Sequence, residues 1–209
     1  MPSVLCYGDS NTHGTPPLVR RGPGWVRYDR NTRWPGVMAA HLGAEWVVIE
    51  EGLPGRTTVH DDAIEGPHRN GLTVLPAILE SHGPVDLLIL MLGTNDCKQR
   101  FSLTGLDIAL GVNRLIDCVE ASRLTGSMLI IAPPVVDERG CLAEIFQGGR
   151  ERSQGVGPHL RKICLTRHLP FLDAAEIVQT DPVDGVHLSE ASHKKLGLEI
   201  AERARKIVG

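Results

Sequence analysis

Short apolar runs recur along the chain at residues 4–7, 46–49, 87–92, 128–132 and 171–172, each followed by a longer segment of helical period. Within the runs the apolar residues are nearly continuous instead of alternating, as expected for parallel strands covered on both faces. Spacings of three and four between the runs predict helices over about 32–42, 71–82, 105–124, 154–168 and 189–208. The most regular stripe is Leu106, Ile108, Ala109, Val112, Leu115, Ile116 and Val119. The last helix is expected to start at Ser189 as N-cap and to bury Leu196, Ile200 and Ala204. This alternation predicts right-handed βαβ crossovers and a three-layer α/β/α sandwich around a five-stranded parallel sheet. Residues 15–31 and 133–153, rich in Pro, Gly and Arg, fit no element; loops of that length are functional, contact a partner, or are surface insertions.

Composition narrows the class. With 209 residues, the chain is expected to form one domain, residues 1–209, with a single core. The longest apolar run is far shorter than the ~20 residues of a membrane span, so no membrane partner is expected. The N-terminus, Met-Pro-Ser-Val-Leu-Cys, shows no basic patch and no long apolar segment, so no secretory signal is expected. A net charge of −3, from 22 Lys and Arg against 25 Asp and Glu, gives no support to a nucleic-acid surface. Cysteines at 6, 97, 118, 141 and 164 are odd in number and form no C-x-x-C pair. Reduced thiols in a cytoplasm are expected, with Cys6 and Cys118 as core fillers.

In a doubly wound sheet the ligand lies beyond the carboxyl ends of the strands. The residues there are Gly8-Asp9-Ser10-Asn11-Thr12, Gly52-Leu53-Pro54-Gly55-Arg56-Thr57 and Gly93-Thr94-Asn95-Asp96, joined by Asp184-Gly185-Val186-His187 before the last helix. Together they make an acyl-transfer set. The Ser10 hydroxyl needs a base to take its proton, and His187 can accept it near neutral pH and return it to the leaving group. Asp184, three residues earlier, can reach the Nδ1 proton of His187, fix the tautomer and stabilise the imidazolium. The backbone N–H of Ser10, the backbone N–H of Gly55 and the side-chain amide of Asn95 can hold the tetrahedral oxyanion.

These blocks resemble those of SGNH hydrolases, the GDSL esterase/lipase family. Tyr7-Gly8-Asp9-Ser10-Asn11-Thr12, the run from Gly52 to Thr58, Gly93-Thr94-Asn95-Asp96 and Asp184-Gly185-Val186-His187 stand in the family's order and cover nearly the whole chain. The resemblance implies a flavodoxin-like α/β/α fold, with Ser10, Gly55, Asn95 and His187 as signature positions and Asp184 completing the triad. No cofactor is expected. The runs Glu50 to Thr58 and Met91 to Lys98 are similar to the mycobacterial aryl esterase/acyltransferase (perhydrolase) group. That group implies cleavage of short-chain acyl esters of aryl and alkyl alcohols, acyl transfer to alcohols or peroxide, and homo-oligomers, octamers included. Asn11 and His13 depart from the Leu and Trp of that group, which bears on acyl-chain preference.

Around this core, Asn11, His13, Thr94, Lys98 and Phe146 are candidate substrate contacts, and His13 is expected at the pocket mouth. Phe101 and Ile145 are further candidates for the pocket wall, with core or interface as the alternative. Asp9 and Asp96 are read as loop organisers satisfying backbone donors. His60, Asp61, Asp62 and His68 lack metal-ligand spacing and read as a solvated loop, so no metal is expected. His41, His82, His159, His168 and His193 read as surface or helix-end residues. No phosphate-loop motif accompanies Gly148, Gly149, Gly155 and Gly157, which excludes nucleotide binding. The cluster of Arg20, Arg21, Arg27, Arg30 and Arg33 is either solvated or, with Trp25, Tyr28 and Trp34 interleaved, a subunit contact. On these readings Trp25, Tyr28, Trp34, Phe101 and Phe146 lie at a pocket or an interface. A carbohydrate acetylesterase and a non-catalytic binding protein on the same fold are the alternatives to a short-chain aryl/alkyl esterase.

Overall fold

The computed structural model describes residues 1–22 and 26–209. Strands β1 (Ser3–Gly8), β2 (Val47–Gly52), β3 (Val85–Met91), β4 (Thr125–Ala132) and β5 (Phe171–Asp173) form one parallel sheet in the order β2-β1-β3-β4-β5. A single turn, α1 (Ser10–His13), follows β1. Longer helices are α2 (Trp34–Leu42), α3 (Gly71–His82), α4 (Gly105–Ser122), α5 (Gly149–Arg167) and α6 (Glu190–Val208). The chain leaves β1 toward β2 and then crosses to β3 on its other side, so the strand order reverses beside β1. Ligand crevices open at such a reversal.

Nearly continuous apolar strands serve two cores, one on each face of the sheet, and not the single core expected, because successive side chains point to opposite faces. Leu5, Tyr7, Leu88, Leu90 and Ile130 pack with α3, α4 and α5, through Leu75, Leu79, Ile108, Val112, Leu115, Val156 and Leu160. Val4, Cys6, Leu87, Ile89, Leu129 and Ile131 pack with α2 and α6, through Trp34, Met38, Leu196, Ile200 and Ala204. Ser189 caps α6 by accepting the N–H of Ser192, as its sequence predicts. Among the described residues no helix is long and apolar enough to cross a membrane.

Several expectations change. Strand β2 starts at Val47 and runs on to Gly52, so Glu50 and Glu51 belong to an edge strand. Helix α5 starts at Gly149, five residues earlier than the apolar spacing predicts, because its first turn is held by polar contacts: Arg152 donates to Cys97 O at 2.9 and 3.1 Å. The 133–153 stretch therefore holds that turn and a 3-10 turn at Gly140–Leu142. Leu106 leaves the α4 stripe and is exposed, and Cys118 packs half-buried against the core instead of inside it. Trp34 is no interface residue: it is fully buried between α2 and α6, where a Cβ on Gly197 would stand 2.7 Å from its carbonyl. His193 is equally buried; it accepts the Trp34 N–H at 3.3 Å, and burial lowers its pKa to about 4, so it is neutral.

Two neighbouring positions on α6 test the layer assignment. Ile200→Ala is expected to cost roughly 2–5 kcal/mol in urea unfolding. Leu198→Ala, on the exposed side of the same helix, is expected to cost under about 0.5 kcal/mol. Equal losses would contradict the packing described.

Candidate active site

Ser10 opens α1 where β1 ends. Asp9 caps this turn, its Oδ1 accepting the Asn11 N–H at 2.9 Å, and Gly14 closes it at φ 85°. The turn sits so tightly on the strand that a Cβ on Gly8 would lie 2.0 Å from Thr12 Oγ1. As the first residue of a helical turn, Ser10 has no intrahelical partner for its N–H. No other described residue accepts it.

The Asp184–His187 turn folds on the aspartate itself. Oδ1 of Asp184 accepts the N–H of Val186 and of His187, each at 3.0 Å. Oδ2 faces His187 Nδ1 at 2.6 Å and also accepts the Leu18 N–H at 2.7 Å. Burial pushes the Asp184 carboxyl up, but the hydrogen bonds and charge of His187, with the Leu18 N–H, hold it below the usual carboxylate range. An ionised Asp184 makes Nδ1 the protonated nitrogen and leaves Nε2 as the basic one.

Asn11 joins these two turns. Its Nδ2 donates to Val186 O at 3.1 Å and its Oδ1 accepts the Leu188 N–H at 3.1 Å, bracketing His187 on both sides. The side chain is buried. It stands outside the cavity lining, where a substrate contact was expected, and is placed to hold the histidine turn.

The remaining donors come from the loops after β2 and β3. Gly55 has φ +79°, a conformation that disfavours a side chain, and its N–H meets no acceptor among the described residues. Asn95 Nδ2 donates one hydrogen to Arg56 O at 3.1 Å, which fixes the amide and leaves the second hydrogen available. Asp96 ties the two loops, accepting the Thr58 N–H at 3.0 Å and its hydroxyl at 2.6 Å. Arg56 lies 4.1 Å over the Tyr7 ring and donates to Gly8 O at 2.9 Å, closing the ends of β1 and β2. Arg56 has no counterpart in the motif reading; its signal was only its place beside Gly55.

A cavity of about 1130 Å³ opens on this edge and is lined by Ser10, Gly55, Asn95, His187, Lys98 and Phe146 among others. Asp184 is buried behind His187. Thr94 stands apart from the lining, buried against Asp9. So does His13: its ring faces Thr15 Oγ1 at 3.1 Å, and burial with Arg27 and Arg33 lowers its pKa to about 4. The pocket wall includes Leu18, Leu142, Ile145 and Phe146 but not Phe101, whose ring lies 6.1 Å from that of His60. Tyr28 meets His193 edge-on at 5.5 Å, and Trp25 lies outside the described residues. Of the five aromatics assigned to a pocket or interface, only Phe146 thus reaches the cavity among those described.

Segment 15–22 is the near wall. Leu18 is held from both ends, its N–H by Asp184 and its carbonyl by Cys141 Sγ at 3.2 Å. The arginine cluster divides: Arg27, Arg30 and Arg33 converge on Glu50 at the edge strand, whereas Arg20 and Arg21 line the cavity. In the 59–70 segment Asp61 and His68 are exposed, as expected of a solvated loop, but Asp62 is not. Asp62 is buried against Arg100 and Lys98, Asp61 takes Asn70 Nδ2 at 2.8 Å, and Glu65 and Arg69 line the cavity. No cluster of His, Cys, Asp and Glu among the described residues could hold a metal ion.

Residues 6–195 match the GDSL-like lipase/acylhydrolase family. The chain belongs to that family. Among solved structures, this acylhydrolase is similar to the native aryl esterase of M. smegmatis, at 38% identity over 99% of this chain and 100% of that one, with a TM-score of 0.93. Est24, a carbohydrate acetylesterase from Sinorhizobium meliloti, is 37% identical over 99% of this chain and 100% of that one, with a TM-score of 0.92. A second carbohydrate acetylesterase family member from Sinorhizobium meliloti is 35% identical over 100% of both chains, also with a TM-score of 0.92. No curated protein sequence matches the chain.

Two buried polar groups yield predictions. Asn11→Ala is expected to lower kcat on an aryl acetate roughly 100-fold with little change in KM, because a small misplacement of the base has that effect; an unchanged kcat would remove the positioning role. Burial raises the Asp9 pKa to about 6, opposed by the Asn11 N–H, Thr94 and the His187 charge. A raised carboxyl pKa means that the native state holds the proton more tightly. Its penalty is therefore absent below about pH 4 and complete above about pH 6. Asp9→Asn is expected to gain stability relative to wild type between pH 4 and pH 7.5 by roughly 2–3 kcal/mol, read from urea unfolding at both pH values. A gap that does not change with pH would refute this.

Proposed function

We propose that this acylhydrolase is a serine carboxylesterase that hydrolyses short-chain, acetyl-type esters of aryl and alkyl alcohols through an acyl-enzyme at Ser10. The observation that carries the reading is the His187 ring, held at Nδ1 by Asp184 and lining the same cavity as Ser10 and three unspent oxyanion donors. Ser10 Oγ attacks the ester carbonyl as His187 Nε2 takes its proton, and Asp184 stabilises the imidazolium. The N–H groups of Ser10 and Gly55 and the Asn95 amide receive the oxyanion. Collapse expels the alcohol, protonated by His187. Water then attacks the acyl-enzyme by the same route, and an alcohol or peroxide in its place gives acyl transfer.

A carbohydrate acetylesterase is the second reading. It is supported by the near-equal similarity to Est24 and by the polar side of the cavity, with Glu65, Arg69 and Lys98. The five cysteines, all free, support a reducing, cytoplasmic setting. A homo-oligomer belongs to the same reading, supported by Val19 and Val26, which border the cavity yet are 85% and 59% exposed. Sedimentation as a monomer at micromolar concentration would count against it.

Hydrolysis of p-nitrophenyl acetate is expected to vanish in Ser10→Ala. It should fall roughly 10⁴-fold in Asp184→Asn, which imposes the wrong histidine tautomer. Asn95→Ala is expected to reduce kcat roughly 10²–10³-fold. Equal rates for wild type and Ser10→Ala would sink the proposal.

A further inference from the structure

Glu65 lies on the connection between β2 and α3, and its carboxylate is fixed from behind. Oε1 accepts from Lys98 Nζ at 2.6 Å and from Arg100 Nη2 at 2.8 Å. Buried Asp62 pairs with the same arginine and lies 3.7 Å from the same ammonium. Within this cluster two cations balance two carboxylates. Lys98 is itself buried, which holds the arrangement rigid.

The second oxygen, Oε2, is turned toward Gly55. A Cβ built on Gly55 would stand 2.4 Å from Oε2 and 3.4 Å from Arg69 Nε, so both side chains lie against the backbone that carries the oxyanion donor. Glu65, Gly55, Arg69 and Lys98 all line the cavity. Among the described residues no hydrogen-bond donor reaches Oε2. A carboxylate oxygen whose sibling already holds both cations retains lone pairs for one more donor. An ester carbonyl offers no donor; a hydroxyl does. Pockets of this kind select ligands through a few placed polar groups in an otherwise apolar lining, and Leu18, Leu142, Ile145 and Phe146 supply that lining.

We propose that Glu65 Oε2 forms a hydroxyl-binding subsite beside Gly55, selecting esters that carry a free hydroxyl one or two carbons from the ester group. The proposal rests on the Ser10-dependent hydrolysis proposed above. Such a hydroxyl sits either on the alcohol, as in a partly acylated polyol, or on the acyl group, as in a hydroxy acid ester. In both cases it replaces water at Oε2 with a charge-assisted hydrogen bond.

Two near-isosteric pairs separate the sources. On the alcohol side, 2-hydroxyethyl acetate is compared with propyl acetate; on the acyl side, ethyl glycolate with ethyl propionate. Wild type is expected to favour the hydroxylated member of at least one pair by roughly fivefold or more in kcat/KM. In Glu65→Gln the amide carbonyl must turn to Lys98 and Arg100, which are donors only, leaving NH2 toward the cavity. That pair's preference should fall roughly fivefold, and Glu65→Asp, which withdraws the oxygen, should lower it too. Flat ratios for wild type in both pairs, or a preference that survives both variants, would overturn the subsite. The wild-type ratios read this without depending on whether a variant folds. Turnover that persists in Ser10→Ala would instead overturn the esterase reading beneath it.

Discussion

The amide of Asn11 holds together two pieces of chain that are 175 residues apart in sequence. One end accepts the N–H after His187 and the other donates to the carbonyl before it, so the turn carrying His187 is keyed to the turn carrying Ser10. The proposed mechanism depends on this join, because Ser10 and His187 can act as nucleophile and base only if the two turns keep a fixed separation. Because the amide is buried, losing either hydrogen bond would leave a polar group without water to replace it, which makes the bracket stiff.

Buried polar side chains do the same elsewhere on this edge of the sheet. Asp96 locks the Gly55 loop to the Asn95 loop, Arg56 caps the ends of β1 and β2, and Asp184 holds the cavity wall through Leu18 as well as its histidine. Glu50 gathers three arginines and fastens the 26–33 segment to the edge strand. The loops that form the cavity are thus fastened by side chain–to–backbone bonds and ion pairs as well as by wall residues such as Leu142 and Phe146, which join the apolar core.

Much of the fold was legible because strands and helices write their periods into the chain. All five strands and five longer helices are where the spacing of Leu, Ile and Val puts them, within a few residues. The exceptions have one cause: the first turn of α5 and the far half of β2 are held by polar partners, which leave no periodic trace. The blocks around Ser10, Gly55, Asn95, Asp184 and His187 were legible because each lies beside a strand end and its residue types are few. Asn11, His13 and Thr94, expected as substrate contacts, stand off the cavity lining for the converse reason. Adjacency to a signature residue says nothing about whether a side chain faces the cavity or the interior.

The sequence by itself determined the parallel sheet, its two covered faces, the family blocks and the residue types of an acyl-transfer site, since these follow from local periodicity and from short contiguous motifs. Only the tertiary structure decided which side chains meet across the crevice. Trp34 and His193 are drawn into the core by the close approach of α2 to α6. Asn11 turns inward onto the His187 loop, and Glu65, in a loop that looks solvated in one dimension, is set against Gly55 by a lysine and an arginine more than thirty residues away. Such contacts depend on how the layers stack, and no local pattern in the chain encodes them.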